Sequence, residues 1–450
     1  MSSTKRLVLW ICILASFVPF LDGSVVNVAL PAITDELGGG FALQQWVVNA
    51  YAITLGAFML IAGSLADLYG RQRVMKIGLI LFGVTSLLCA IAPSGLSLIL
   101  ARAAQGVAGA LLVPSSLALI MAYFKKAEAG KAIGSWTAWT GIAFIVGPLV
   151  GGLLVDFASW RMVFAINVVP IIINLYMLSK LDFTEQLQRR VKLDLAGAAL
   201  GVIGLGGVVY GLIEQGRLGW ADPTVYSTLI IGTLALVGFI WHERHATQPM
   251  LPLGLFKVRN FWVGNIASFA IYAGLALATF AIAIFVQQVG NYSALEAGLA
   301  LLPITIIMFF LSSRFGALAD LLGPRLFMSA GPFIAGVGFA TMYFVDQSVA
   351  YWQLLPGILL FGIGLSITVA PLTTAILSSI SDSQSGIASA VNNAVTRVAG
   401  LIAVAAIGSI VGQSLDLSGF HAITLVMASL MVIGGLISAF GIVNRPNHQA

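Results

Sequence analysis

The sequence predicts an all-α integral membrane protein of fourteen transmembrane helices, arranged as two six-helix bundles with pseudo-twofold symmetry and two further helices inserted between them. Three observations lead there: a composition too apolar for a water-exposed surface, fourteen apolar runs separated by charged loops of alternating character, and an internal repeat. Of 450 residues, 59% are hydrophobic and 9% charged, against roughly a quarter charged in soluble domains. The 22 basic and 17 acidic side chains cannot cover a soluble body of this size, which would expose large apolar patches. Soluble enzymes and nucleic-acid binders are therefore poor readings. The net charge of +5 is explained by its placement along the chain. Cys12 and Cys89 both lie in apolar runs and define neither a disulfide framework nor a metal cluster.

A membrane-crossing helix needs about 20 mainly apolar residues. The first six such runs fall near 7–30, 43–66, 74–93, 97–122, 133–156 and 161–180. Two more lie near 193–214 and 225–241, and the last six near 261–289, 296–319, 325–345, 351–378, 386–412 and 421–443. The first run follows Lys5 and Arg6 as a signal peptide would, but it continues past Asp22 to Pro31 without a small-residue cleavage site and is read as a span. Positive residues near helix ends are retained in the cytoplasm. Alternate loops collect Lys5, Arg6, Arg71, Arg73, Lys76, Lys125, Lys126, Lys131, Lys180, Arg189, Arg190, Lys192, Arg244, Lys257, Arg259, Arg325 and Arg445, whereas the opposite loops hold only Arg161 and Arg217. An even number of spans with both termini cytoplasmic follows. The expected segments are residues 1–188, 189–258 and 259–450.

The repeat is a loop. Gly63-Ser-Leu-Ala-Asp67-Leu-Tyr-Gly70-Arg71 follows the second span of the first block, and Gly316-Ala-Leu-Ala-Asp320-Leu-Leu-Gly323-Pro324-Arg325 follows the second span of the last. Six-span repeats related by an axis along the membrane normal put a substrate site between the halves near the midplane.

These loops resemble the signature loop of the major facilitator superfamily, and three further segments are similar to motifs of its fourteen-span drug:proton antiporter family. They are Asp22-Gly-Ser-Val-Val-Asn27-Val-Ala-Leu-Pro31 in the first span, Arg102-Ala-Ala-Gln105-Gly106 in the fourth, and Gly147-Pro148-Leu-Val-Gly151-Gly152 in the fifth, with Gly141 six residues before it. The resemblance covers essentially the whole chain and implies the major facilitator fold. One departure is Gly-Ser after Asp22, where Thr is common two residues on, so the hydroxyl survives as Ser24.

Asp22 lies mid-run, where an ionised carboxylate is costly and acids are functional by default. It is the expected proton carrier; a permanently paired structural Asp, held by Arg102 or capped by Ser24, is the alternative. Arg102 lies inside the fourth span, and a guanidinium favours an ionised neighbour where burial disfavours it. Such a competition suits antiport, with Gln105 one turn on as polar partner; a purely structural helix clamp is the other reading. Gly147, Gly151 and Gly152 form a small-residue face and Pro148 removes a backbone donor, so the set reads as packing or as a hinge. In the signature loop Gly63 and Gly70 permit close packing and a tight turn, Asp67 can face the N-terminus opening at Ser385-Gly386, an expectation from the resemblance, and Arg71 is a gating candidate or an inside anchor. Asp320 is its counterpart in the second copy.

Polar and aromatic residues inside spans suggest the pocket lining: Asn27, Asn49, Tyr51, Gln105, Tyr272, Asn392, Asn393 and Arg397. Asn393 and Arg397, four apart, share a helix face, and aromatics with few polar groups fit an adaptable apolar site. Trp46 reads equally as an interface anchor. Glu214, Glu296, Asp156 and Asp416 fall near span ends, and a longer seventh span would bury Glu214. Ala129-Gly130-Lys131-Ala132 is no phosphate-binding loop, and the four histidines are scattered, so no enzyme, metal or cofactor is implied.

The resemblance thus implies a multi-pass plasma-membrane antiporter that admits protons through Asp22 and exports amphiphilic small molecules by alternating access. It would work as a monomer in lipid, without nucleic acid. A transporter of one specific metabolite on the same fold, or a non-transporting membrane sensor, are the alternatives.

Overall fold

The computed structural model describes residues 3–124, 126–181, 194–246, 249–381 and 384–444, with a few side chains within them, Asp67 among these, outside the description. Lys125, Arg189, Arg190, Lys192 and Arg445 also lie outside the described residues. The chain is about 87% helical.

The helices in order are α1 (Ser3–Leu37), α2 (Gly40–Tyr69), α3 (Arg71–Ala90), α4 (Gly95–Ala110), α5 (Leu112–Tyr123), α6 (Lys126–Gly141), α7 (Ala143–Phe157), α8 (Met162–Ala165), α9 (Val168–Ser179), α10 (Leu195–Leu218) and α11 (Pro223–His245). A short 3₁₀ turn, Leu253–Lys257, leads into α12 (Arg259–Gln288), α13 (Ala294–Leu322), α14 (Pro324–Met342), α15 (Tyr351–Leu377), α16 (Ser385–Ala406), α17 (Gly408–Val411) and α18 (Leu417–Gly441). Among the described residues, twelve helical stretches are long and apolar enough to cross a membrane; α4 with α5, α6 with α7, α8 with α9, and α16 with α17 each make one of them.

Four of the expected continuous spans are interrupted, at Leu111, Ile142, Ile166–Asn167 and Ile407. Two of the breaks lie three to four residues upstream of a proline, Leu111 before Pro114 and Ile166 before Pro170. Proline lacks the N–H for the carbonyl four residues back and its ring crowds that carbonyl, so the ladder gives way on its N-terminal side. The run expected to end at 214 continues to Leu218. Glu214 is thereby buried and paired with Arg217 at 2.9 Å.

The helices cluster in two compact units. The first comprises Met1–Val208, Ile230–Met250 and Ser293–Gly298; the second comprises Val209–Leu229, Leu251–Tyr292 and Leu299–Ala450. In the first, α1 packs on α5, α6, α7 and α9, and α2 lies along α4. Thr54 donates across that seam to the carbonyl of Ala103 at 2.8 Å, and a Cβ at Gly106 would stand 2.3 Å from the carbonyl oxygen of Tyr51. In the second, α14 pairs with α15 and α18, and α12 with α16 and α18. Backbones cross closely at a double glycine seam: a Cβ at Gly364 would lie 2.5 Å from the Gly331 carbonyl oxygen, and one at Gly338 would lie 2.7 Å from that of Gly357. Small residues permit such approach where lipid supplies no hydrophobic drive for association.

Helix α3 shows why these helices belong in a bilayer. Val74, Met75, Leu79 and Phe82 face inward, yet Ile77, Ile80, Leu81, Val84, Leu87 and Leu88 on the opposite side are exposed. A helix apolar all round fits a membrane span whose outer stripe meets lipid.

Candidate functional site

Asp22 and Arg102 form the centre of a polar network wholly inside the first unit. Both side chains are removed from solvent, at 0% and 2% exposure. Arg102 Nη1 donates to Asp22 Oδ2 at 2.5 Å and to Gln105 Oε1 at 2.6 Å, while its Nε donates to the Val47 carbonyl at 3.0 Å. The guanidinium carbon sits 4.3 Å from the Tyr51 ring centre and 5.6 Å from that of Phe164, adding cation–π attraction in a dry setting. The other carboxylate oxygen, Oδ1, accepts from Gln105 Nε2 at 3.0 Å and from Asn167 Nδ2 at 2.8 Å. Gln105 Nε2 also donates to Ser86 Oγ at 2.8 Å, and Cys89 Sγ donates to Gln105 Oε1 at 3.6 Å.

Five helical segments meet at this point: α1 brings Asp22, α2 Tyr51, α3 Ser86 and Cys89, α4 Arg102 and Gln105, and the α8–α9 junction Asn167. Every contact on the carboxylate comes from an N–H donor, the set that an ionised Asp requires. Breaking such a pair by removing one partner leaves a charge buried without compensation.

Beside the network, α7 is pressed against α1. A Cβ at Gly147 would fall 1.9 Å from Ser24 Oγ, and one at Gly151 would fall 2.6 Å from a Val25 methyl. Ser24 donates to Leu21 O and across to Ala143 O, at 2.9 and 3.0 Å. At Gly152 the neighbour is the backbone of Leu295, 2.4 Å from such a Cβ, and Asp156 accepts from the N–H groups of Ala294 and Leu295 at 3.0 and 2.9 Å. The interruption in this span falls at Ile142, upstream of Pro148.

The sequence profile of the Major Facilitator Superfamily matches residues 12–404. The chain belongs to the Major Facilitator Superfamily. It is 34% identical over 426 residues to the multidrug resistance protein Stp of Mycobacterium tuberculosis, covering 92% of this chain and 78% of that one. It is 33% identical over 405 residues to the puromycin resistance protein pur8 of Streptomyces alboniger, covering 88% and 80%. A solved structure of the peptide transporter POT in complex with sulfate superposes with a TM-score of 0.73 at 15% identity, over 97% of this chain and 94% of that one; at that identity it shows the fold alone.

The superfamily's signature loop is structurally duplicated. Gly70 joins α2 to α3 with φ 95°, and Gly323 joins α13 to α14 with φ 87°, a backbone region that favours glycine. Their N–H groups donate to Ala66 O and Ala319 O, at 3.1 and 2.9 Å. Gly63 lies within α2, where a Cβ would meet nothing within 4 Å among the described residues. Arg71 opens α3 and Asp320 is exposed near the end of α13. The side chains of Asp67, Ser385 and Gly386 lie outside the described residues.

The expected pocket lining divides. Tyr51 and Gln105 stand within the Asp22–Arg102 network, where the Tyr51 hydroxyl donates to Pro19 O at 3.3 Å. Asn49 is fully buried and both of its amide atoms are without a hydrogen-bond partner among the described residues. Asn27 is half-buried on α1. In the second unit, Asn392 donates to Asn265 Oδ1 and Ser268 Oγ at 3.1 and 3.0 Å, Asn393 is exposed and donates to Ser389 O at 3.0 Å, and Tyr272 and Arg397 are half-buried. Sequence reasoning missed Asn167, Ser86, Asn265 and Ser268. Asn167 and Asn265 are amides in apolar runs, the same signal that singled out Asn49.

Proposed function

We propose that this chain is a proton-coupled exporter of amphiphilic small molecules, working by alternating access through fourteen spans. This reading counts α2 and α14, helices of 30 and 19 residues, as spans beside the twelve long apolar stretches. In this reading residues 1–188 and 259–450 are the two six-helix bundles, 189–258 the inserted pair, and both termini are cytoplasmic.

The observation that carries the proposal is the solvent-free Asp22–Arg102 pair. A carboxylate and a guanidinium sharing buried neutral amides have two stable arrangements: paired when Asp22 is ionised, separable when a proton neutralises it. Relatives named for multidrug and puromycin resistance support an exported drug as cargo. Asn27, Asn49, Tyr51, Tyr272, Asn392, Asn393 and Arg397 are the proposed polar substrate contacts, each a sparse polar group among apolar walls. The glycines of α7 and the paired loops are the proposed conformational elements.

The test is dye export from proteoliposomes under an imposed pH gradient, across cationic, neutral and anionic compounds. The proposal expects gradient-dependent export of several amphiphiles. Export of none, or movement of one metabolite alone, would refute it.

A further inference from the structure

The acceptor side of Asn167 is idle. This residue occupies the junction of α8 and α9, is fully buried, and gives its Nδ2 to Asp22 Oδ1 at 2.8 Å and to Ser86 Oγ at 3.4 Å. Its Oδ1 is buried with no hydrogen-bond partner among the described residues, an arrangement that ordinarily costs free energy. An amide carries a donor and an acceptor on opposite arms, and a half-turn about its last torsion exchanges them.

We propose that Asn167 is the positioning residue that reads the protonation state of Asp22, donating through Nδ2 to the carboxylate and, after a half-turn of its amide, accepting through Oδ1 from the carboxylic acid. A proton taken from water forms the O–H bond on Asp22 Oδ1 and returns to water on the other side. Asn167 itself exchanges only hydrogen bonds. Without the turn, the new O–H would point at two N–H donors, from Asn167 and Gln105.

Gln105 cannot make the same exchange cheaply. Its Oε1 is held by the Arg102 guanidinium at 2.6 Å, a charge-assisted bond, and turning the amide would aim an N–H at that cation. Asn167 loses a neutral contact to Ser86 and gives its orphan oxygen a partner. Ser86 Oγ, which in this arrangement only accepts, can then donate to Asn167 Oδ1. Other ionisable groups near Asp22 are Arg102 on α4, Tyr51 on α2 and Cys89 on α3. The remaining elements packed on α1 carry theirs elsewhere: Glu128 of α6 pairs with Lys5, Tyr123 of α5 accepts from Gln72, Asp156 of α7 binds the Ala294 and Leu295 amides, and Tyr176 of α9 is exposed beside Lys180.

This inference rests on Asp22 as the proton carrier. Its test uses the full chain in liposomes, comparing native protein, Asp22→Asn, Asn167→Leu and the isosteric Asn167→Asp. In infrared difference spectra on acidification, the carboxylic C=O band that Asp22→Asn abolishes moves to higher frequency in Asn167→Leu, because the acid has lost its acceptor. Asn167→Asp sets a second carboxyl beside Asp22 and raises the pH of half-maximal ethidium export by about one unit through like-charge repulsion alone, so it serves as the control for proximity. Should Asn167→Leu not assemble, Asn167→Ala, which also removes the acceptor, is read by the same band. A merely structural Asn167 would change yield or heat stability and leave the band where it is, which overturns the inference. Native proton-driven export by Asp22→Asn would remove the carrier and this inference together. Loss of export in Asp22→Asn with an unmoved band in Asn167→Leu or Asn167→Ala would remove this inference alone.

Discussion

The first unit holds a buried polar cluster built on an ion pair, and the second holds one built on neutral amides and a hydroxyl. Asp22 and Arg102 are buried together among amides and hydroxyls in the first. In the second, Asn265, Ser268 and Asn392 form an uncharged cluster between α12 and α16. The difference teaches where the energetics lie. A buried charge pair is indispensable to itself, since either member alone is unpaired in a low-dielectric interior, whereas an interhelical amide bond in a membrane protein is worth on average only ~0.6 kcal/mol.

The largest effect is therefore expected from splitting the pair. Arg102→Met should cost about 3–5 kcal/mol, read as lost monodisperse protein and a lower melting temperature in detergent. Asp22→Asn combined with Arg102→Met should recover most of that loss; equal damage in single and double variants would show that the pair's charge is not what matters. Next comes the seam. Gly364→Ala sets a methyl against the Gly331 carbonyl oxygen and should destabilise by roughly 1–3 kcal/mol through overpacking, whereas Gly63→Ala, with open space, should be neutral or stabilising by up to about 1 kcal/mol. Reversal of that order would break the packing account. Asn392→Ala is the smaller amide test, with a loss of about 0.6–1.7 kcal/mol in thermal stability.

The smallest effect concerns pH. Asp416 caps α18 by accepting from Gly419 N–H at 2.7 Å. That bond, with the Ser418 hydroxyl, holds its carboxyl below the usual carboxylate range. The folded form thus binds this proton less readily than the unfolded chain. Its contribution is complete above the ordinary carboxylate range and is lost as pH falls through the lower folded-state value. Asp416→Ala should flatten that acid limb slightly in thermal melts between neutral and strongly acidic pH, and an unchanged limb would count against the cap.

Much of this was legible in the residues. Asp22 and Arg102 stand out because charges inside apolar runs have few innocent uses, and the duplicated Gly-x-Leu-Ala-Asp loop marks two turns that the structure builds with the same positive φ at Gly70 and Gly323. What stayed hidden has physical reasons. Ser86 is silent in sequence because membrane helices hold many hydroxyls that bond their own helix, as Ser116 does to Leu112 O. Asn167 was overlooked beside the charges, and its importance depends on the break before Pro170, whose position hydropathy does not report.

The most direct test of the central claim is proton uptake by liposomes driven by an outward substrate gradient and followed with a trapped pH indicator. The account predicts substrate-dependent uptake by native protein and none by Asp22→Asn at equal reconstitution and equal folded fraction. Equal uptake by the two would contradict it.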